Sequence, residues 1–125
     1  MKKFKGDDMM KYEYHGVIIE EALDDNRFIN ALKVEKVHIT GHKKRNDRRH
    51  CYQVNISLEQ IETLSNHIKE DFYLYFWKDN HIIALFSGKK FEFDYLNKDT
   101  WTDVLAYAHS IGFEESDLDF STSGL

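Results

Sequence analysis

The sequence predicts an α+β domain of two layers: a mostly antiparallel sheet, in the order β-α-β-β-α-β-β-β-α, with its helices on one face. Three observations carry that expectation. Tyr52, Val54 and Ile56 alternate with Gln53, Asn55 and Ser57, the period of a half-buried strand. Residues 72–95 read FYLYFWKDNHIIALFSGKKFEFDY, three apolar runs separated by turn residues, which is the pattern of an antiparallel meander. Leu58, Ile61, Leu64 and Ile68, and later Trp101, Val104, Leu105, Ala108 and Ile111, recur at helical spacing on single stripes, and a helix with one apolar stripe must cover a sheet.

Taken in order, Tyr12, Tyr14 and Val17–Ile19 make a first strand. Gly16 within it marks a bulge or a close backbone approach. Asp24, Asp25 and Asn26 offer a cap to a short helix carrying Phe28, Ile29 and Leu32. Val34 to Thr40 returns to β-branched residues, with Val37 and Ile39 on one face. Ser57 opens S-L-E-Q, in which the Ser57 hydroxyl can accept from the Gln60 N–H while the Gln60 side chain reaches back, a capping box before a helix running to about Lys69. Asp79-Asn80 suits a two-residue hairpin turn, since both tolerate positive φ, and Ser87-Gly88 a second turn. Asn97–Thr100 caps the last helix, Gly112 follows its end, and Leu118 and Phe120 are available to dock on the body.

The chain has 125 residues, of which 42% are hydrophobic and 14% aromatic, enough to bury one core without staples. Residues 1–9 read as a flexible N-terminal segment, 10–120 as the single domain and 121–125 as a flexible tail. The single Cys51 cannot form an internal disulfide or a CxxC pair. No run approaches the ~20 apolar residues needed to span a bilayer. A reduced, cytoplasmic setting without membrane contact is the expectation. The net charge of −5 means that attraction to nucleic acid must come from a local patch.

The stretches YHGVIIEEAL (Tyr14–Leu23), Asp25-Asn26-Arg27, Phe76-Trp77, Phe91 with Phe93, Asp99-Thr100-Trp101 and Asp117–Phe120 resemble a family of small bacterial proteins of little over a hundred residues that carries no established function. The resemblance spans about Tyr12 to Phe120. It implies a bacterial cytosolic protein and supplies no catalytic residues.

Four constellations could carry chemistry. Lys43, Lys44, Arg45, Arg48 and Arg49 lie in GHKKRNDRRH, residues 41–50, and could grip phosphates; the bland reading is a solvated connection that protects strand edges. His38 and His42 show H-x₃-H spacing, with His50 and Cys51 beyond, but His50 and Cys51 point to opposite faces of a strand, and no metal or cofactor is expected. Cys51 could act as a nucleophile with a histidine and Glu20, Glu21 or Asp25, or Glu20 and Asp25 could serve as an acid–base pair in a cleft. A lone cysteine is more often a small buried hydrophobe, and acids are favoured at helix starts. No GxGxxG, P-loop, HExxH or GxSxG is present, which lowers the expectation of an enzyme. The aromatic strand Tyr73, Tyr75 and Trp77 remains. The sequence expects it on a bare sheet face, in contact with another protein or with a second copy as a homodimer. A non-catalytic binding protein is therefore the first expectation. Nucleic-acid or phosphate binding through residues 43–49 is the second, and a small enzyme built on Cys51 or Glu20 and Asp25 the third.

Overall fold

The structure, a computed structural model, describes residues 12–125. The segment 1–9, expected to be flexible, lies outside the described residues. Six strands are formed: β1 (Tyr14–Ile19), β2 (Lys33–Ile39), β3 (His50–Ile56), β4 (Leu74–Lys78), β5 (His81–Phe86) and β6 (Lys89–Asp94). Two α-helices join them, α1 (Leu58–Leu64) and α2 (Thr102–Ser110), with 3-10 turns at Glu20–Ala22, Asn26–Ala31, Arg45–Asp47, Lys98–Trp101 and Glu115–Asp117. The predicted order holds, the first helix being the 3-10 segment Asn26–Ala31, where Asp25 accepts from the Arg27 N–H.

All strands lie in one antiparallel sheet of order β2-β3-β1-β4-β5-β6. β1 is therefore interior, and its flat face at Gly16 has a cause. A Cβ there would stand 2.2 Å from Cδ1 of Phe76, so only glycine lets the β4 ring lie against β1. The turn chemistry is as expected: Asp79 takes φ 52° between β4 and β5, and Gly88 φ 73° between β5 and β6. The Ser57–Gln60 capping box is closed from both sides, and Ser57 is buried. α1 ends at Leu64 rather than near Lys69. The chain then turns so that the Asp24 N–H donates to His67 O and the Lys69 N–H to Ala22 O, which leaves Ile68 bridged to Leu23.

The layer count differs from expectation. Leu74, Phe76, Ile83 and Leu85 face α1, together with Ile61 and Leu64; Trp77, Ile82, Ala84 and Phe86 face α2, together with Val104 and Ala108. The helices thus sit on opposite faces of the sheet, not on one. The reason is β5: Ile82 to Phe86 are all buried, so both faces of that strand need a cover. The second cover is completed by residues 113–121. Phe120 is 2% exposed and packs edge-on to Tyr75, Phe93 and Trp101. Ser121 and Leu125, expected to fray, are held: the Tyr75 hydroxyl donates to Ser121 O, the Leu125 N–H to Gln53 Oε1, and Lys36 Nζ to Leu125 O. Among the described residues no helix is long and apolar enough to cross a membrane.

Candidate functional site

The expected aromatic contact face is covered by the chain itself. Trp77 is 7% exposed, and Tyr73 and Tyr75 are half-buried under Phe113 and Phe120. The Tyr73 hydroxyl donates to Asp117 O and accepts from the Asp119 N–H. Burial first, and then the Asp119 charge, pushes the Tyr75 hydroxyl well above its ordinary pKa. The expectation that Tyr73, Tyr75 and Trp77 lie bare is corrected: alternating aromatic residues signal a buried face, and the residues that bury it lie more than thirty positions later in the chain.

The basic loop divides by use. Arg48 turns inward, its Nε donating to His42 O at 2.8 Å and its other guanidinium nitrogen to Lys43 O at 3.1 Å, so it closes the loop. The Arg49 guanidinium lies 5.7 Å from the Phe72 ring centre, while its N–H donates to Thr40 Oγ1. The side chains of Lys43, Lys44 and Arg45 stay exposed and make no hydrogen bond or ion pair among the described residues.

The acids and histidines come together in an unforeseen combination. The β1–β3 register sets Ile19 against Cys51, which delivers the Glu20–Ala22 turn to the start of β3. There the Glu21 carboxylate receives the His50 N–H at 2.9 Å and lies 2.7 Å from His50 Nδ1. Glu20 receives the Tyr52 hydroxyl at 2.6 Å and the Asn26 amide at 3.2 Å. Burial pushes the Glu21 carboxyl up, but the side-chain and backbone hydrogen bonds of His50 outweigh it and hold the group below its ordinary value. The hydrogen bond to Glu20, with burial behind it, pushes the Tyr52 hydroxyl up to about 12.

Ligand atoms of Glu20, Glu21 and His50 lie within 4.8 Å of one another, a spacing a divalent ion could bridge. Yet all four carboxylate oxygens already accept a hydrogen bond, so the group is a satisfied polar knot that ties the turn to the sheet. His42 and Cys51 do not belong to it, and His38 is exposed on β2 opposite Cys51.

The other chemical readings separate in space. By strand alternation Cys51 points to the face opposite His50 and Tyr52. Burial, and then the Glu21 charge, pushes its thiol up, away from nucleophilic character. Asp25 is engaged by Arg27, whose side-chain hydrogen bonds hold its carboxyl down at about 2, a fully ionised group rather than an acid–base catalyst. Asp24 pairs with His67 at 2.8 Å.

Among the described residues, β2 is left uncovered. All seven of its residues are exposed, and it is an outer strand of the sheet. Val34, Val37 and Ile39 are 40%, 54% and 50% exposed, on the side where their β3 partners are Val54, Tyr52 and His50. The Thr40 N–H donates to Arg49 O. By the alternation of an antiparallel ladder, Val37 and Ile39 then turn their own N–H and C=O groups outward. No family model, curated protein or solved structure matches the chain, so no relative's chemistry bears on these sites.

Proposed function

We propose that this chain is a non-catalytic binding protein that takes up an extended, acidic segment of a partner protein along β2, as an added strand. The observation that carries this is the exposure of β2 along its whole length, with three apolar side chains on one side of an open backbone edge. The opposite edge is dressed differently. On β6, Lys90 pairs with Glu62, Glu92 meets His81, and Phe91 and Phe93 pack in the α2 core.

Charge selects the partner. The loop that ends β2 presents Lys43, Lys44 and Arg45 in a protein whose net charge is −5, so the edge attracts acids while the rest of the surface repels them. A second copy is less suited, because its β2 carries two lysines and one glutamate and so offers the basic loop little negative charge. The bulge at Val34/Lys36 confines the regular open edge to Lys36–Ile39 and so makes the contact short.

The test uses a labelled peptide of about ten residues alternating valine and glutamate, against the same composition in scrambled order. Salt-sensitive binding of the alternating peptide, abolished by Val37→Pro, is the expected result. Proline there removes an outward N–H and leaves the β3 ladder whole, whereas the inward-facing His38 could not be so replaced. Equal binding by Val37→Pro overturns the proposal. So does a wild-type dimer in light scattering that Val37→Pro makes monomeric, since the edge is then taken by a second copy. Protection of the Val37 amide that disappears on deleting residues 1–11 would assign the edge to the chain's own beginning.

A further inference from the structure

A cavity of about 520 Å³ lies between the Lys98–Trp101 turn and the 115–121 segment. Its volume falls within the usual range for small-molecule sites. Tyr95 and Trp101 give it aromatic walls, Leu105 and Leu118 an apolar side, and Glu115 and Asp119 two carboxylates. The Trp101 ring is fixed in place: its indole N–H donates to Asp94 O at 2.8 Å, and Phe93 and Phe120 pack against it at centroid distances of 5.2 and 5.4 Å. Over its face sits the ammonium of Lys98, 3.3 Å from the ring centre and 5.9 Å from that of Tyr95. A held aromatic face with a cation already on it and acids beside it is the chemistry that recognises organic ammonium groups.

We propose that this cavity is a binding site for the ammonium group of a small organic cation, and that Lys98 occupies the cation position in the free protein. Lys98 is an exposed side chain on a short turn, so leaving the ring returns its charge to water and opens the site. The acids compensate the incoming charge. The Glu115 side chain makes no hydrogen bond or ion pair among the described residues, and Asp119 has one oxygen bonded to the Ser121 N–H. A second, apolar cavity of about 310 Å³ shares Leu105, Glu115 and Leu118 and continues toward Phe113, which gives room for a hydrocarbon portion of the ligand.

The probe is tetramethylammonium chloride, titrated against sodium chloride at matched ionic strength and read from the indole N–H resonances. Saturable movement of the Trp101 signal, with the Trp77 signal unmoved, is expected. Lys98→Met, which keeps the apolar stem and removes the competing charge, is expected to tighten binding about five- to tenfold. Choline is expected to bind at least about tenfold more tightly than its uncharged isostere 3,3-dimethylbutan-1-ol. Absence of saturation in both wild type and Lys98→Met overturns the proposal, as does equal binding of choline and the uncharged isostere. If Lys98→Met is poorly folded, Glu115→Gln in the wild-type background replaces it, and unchanged affinity in that variant likewise overturns the proposal.

Discussion

On one side of the sheet, Ile18, Val54, Ile56, Ile61, Leu64, Ile83 and Leu85 make a mostly aliphatic core under α1 and the Asn26–Ala31 segment. On the other, Trp77, Phe86, Phe93, Trp101 and Phe120 make an aromatic core under α2 and residues 113–121. Aliphatic chains adapt to a short cover. Rings need partners at set angles, and here they receive them edge-on from a segment with little regular structure of its own. The apparently spare C-terminal residues thus complete a core, and among the described residues the strand left exposed along its whole length is an edge of the sheet.

Phe120→Ala is expected to have the largest effect. It empties the centre of the aromatic core and is expected to cost about 3–5 kcal/mol in urea denaturation. A loss under about 1 kcal/mol would mean that the 113–121 segment rests on the sheet without being part of its core. On the aliphatic side, Gly16→Ala forces a methyl into the Phe76 ring and is expected to cost about 1–3 kcal/mol. Phe76→Leu in the same chain removes the opposing ring edge, so the double variant should lose less than the sum of the singles. Additive losses would show that the clash is relieved by backbone movement.

The smallest effect belongs to the polar knot that brings Ala22 and Leu23 to the aliphatic side. The Glu21 carboxyl sits below its ordinary value in the folded state. Its contribution is therefore present above that value and is lost as pH falls through the folded one. The stability gap between wild type and Glu21→Gln should hold at neutral pH and narrow progressively as the pH is lowered below the ordinary glutamate range. A gap that persists at the acidic end would assign the loss to packing instead of charge.

Much of this architecture was legible in the residues. Period-two alternation showed β3, the S-x-x-Q box showed the start of α1, and Asp79 and Gly88 took the positive φ their turns require. The side of each helix was also encoded, in the unbroken run Ile82 to Phe86, because a strand with no polar face has no face for water. What could not be read is pairing over distance. Glu21 meets His50 twenty-nine positions away only because β1 and β3 align Ile19 with Cys51, and one residue of slip would point the partners apart. Val37 and Ile39 look like core residues in sequence. They are exposed because β2 ends the sheet, a fact of strand order that local periodicity does not contain. Lys98 over Trp101 was equally silent, since any lysine three positions before a tryptophan looks the same.

The ladder between β1 and β4 runs over two register pairs, His15 with Trp77 and Gly16 with Phe76, against six between β1 and β3. The sheet therefore has a seam at its middle. On one side of it lies the β4–β5–β6 meander, whose contacts are local and close quickly; on the other, β1 must wait for β3 across some thirty intervening residues. Residues 121–125 cross that seam, tied to Tyr75 on one bank and to Gln53 and Lys36 on the other. They act as a clasp, adding three hydrogen bonds across a join whose own ladder has two register pairs.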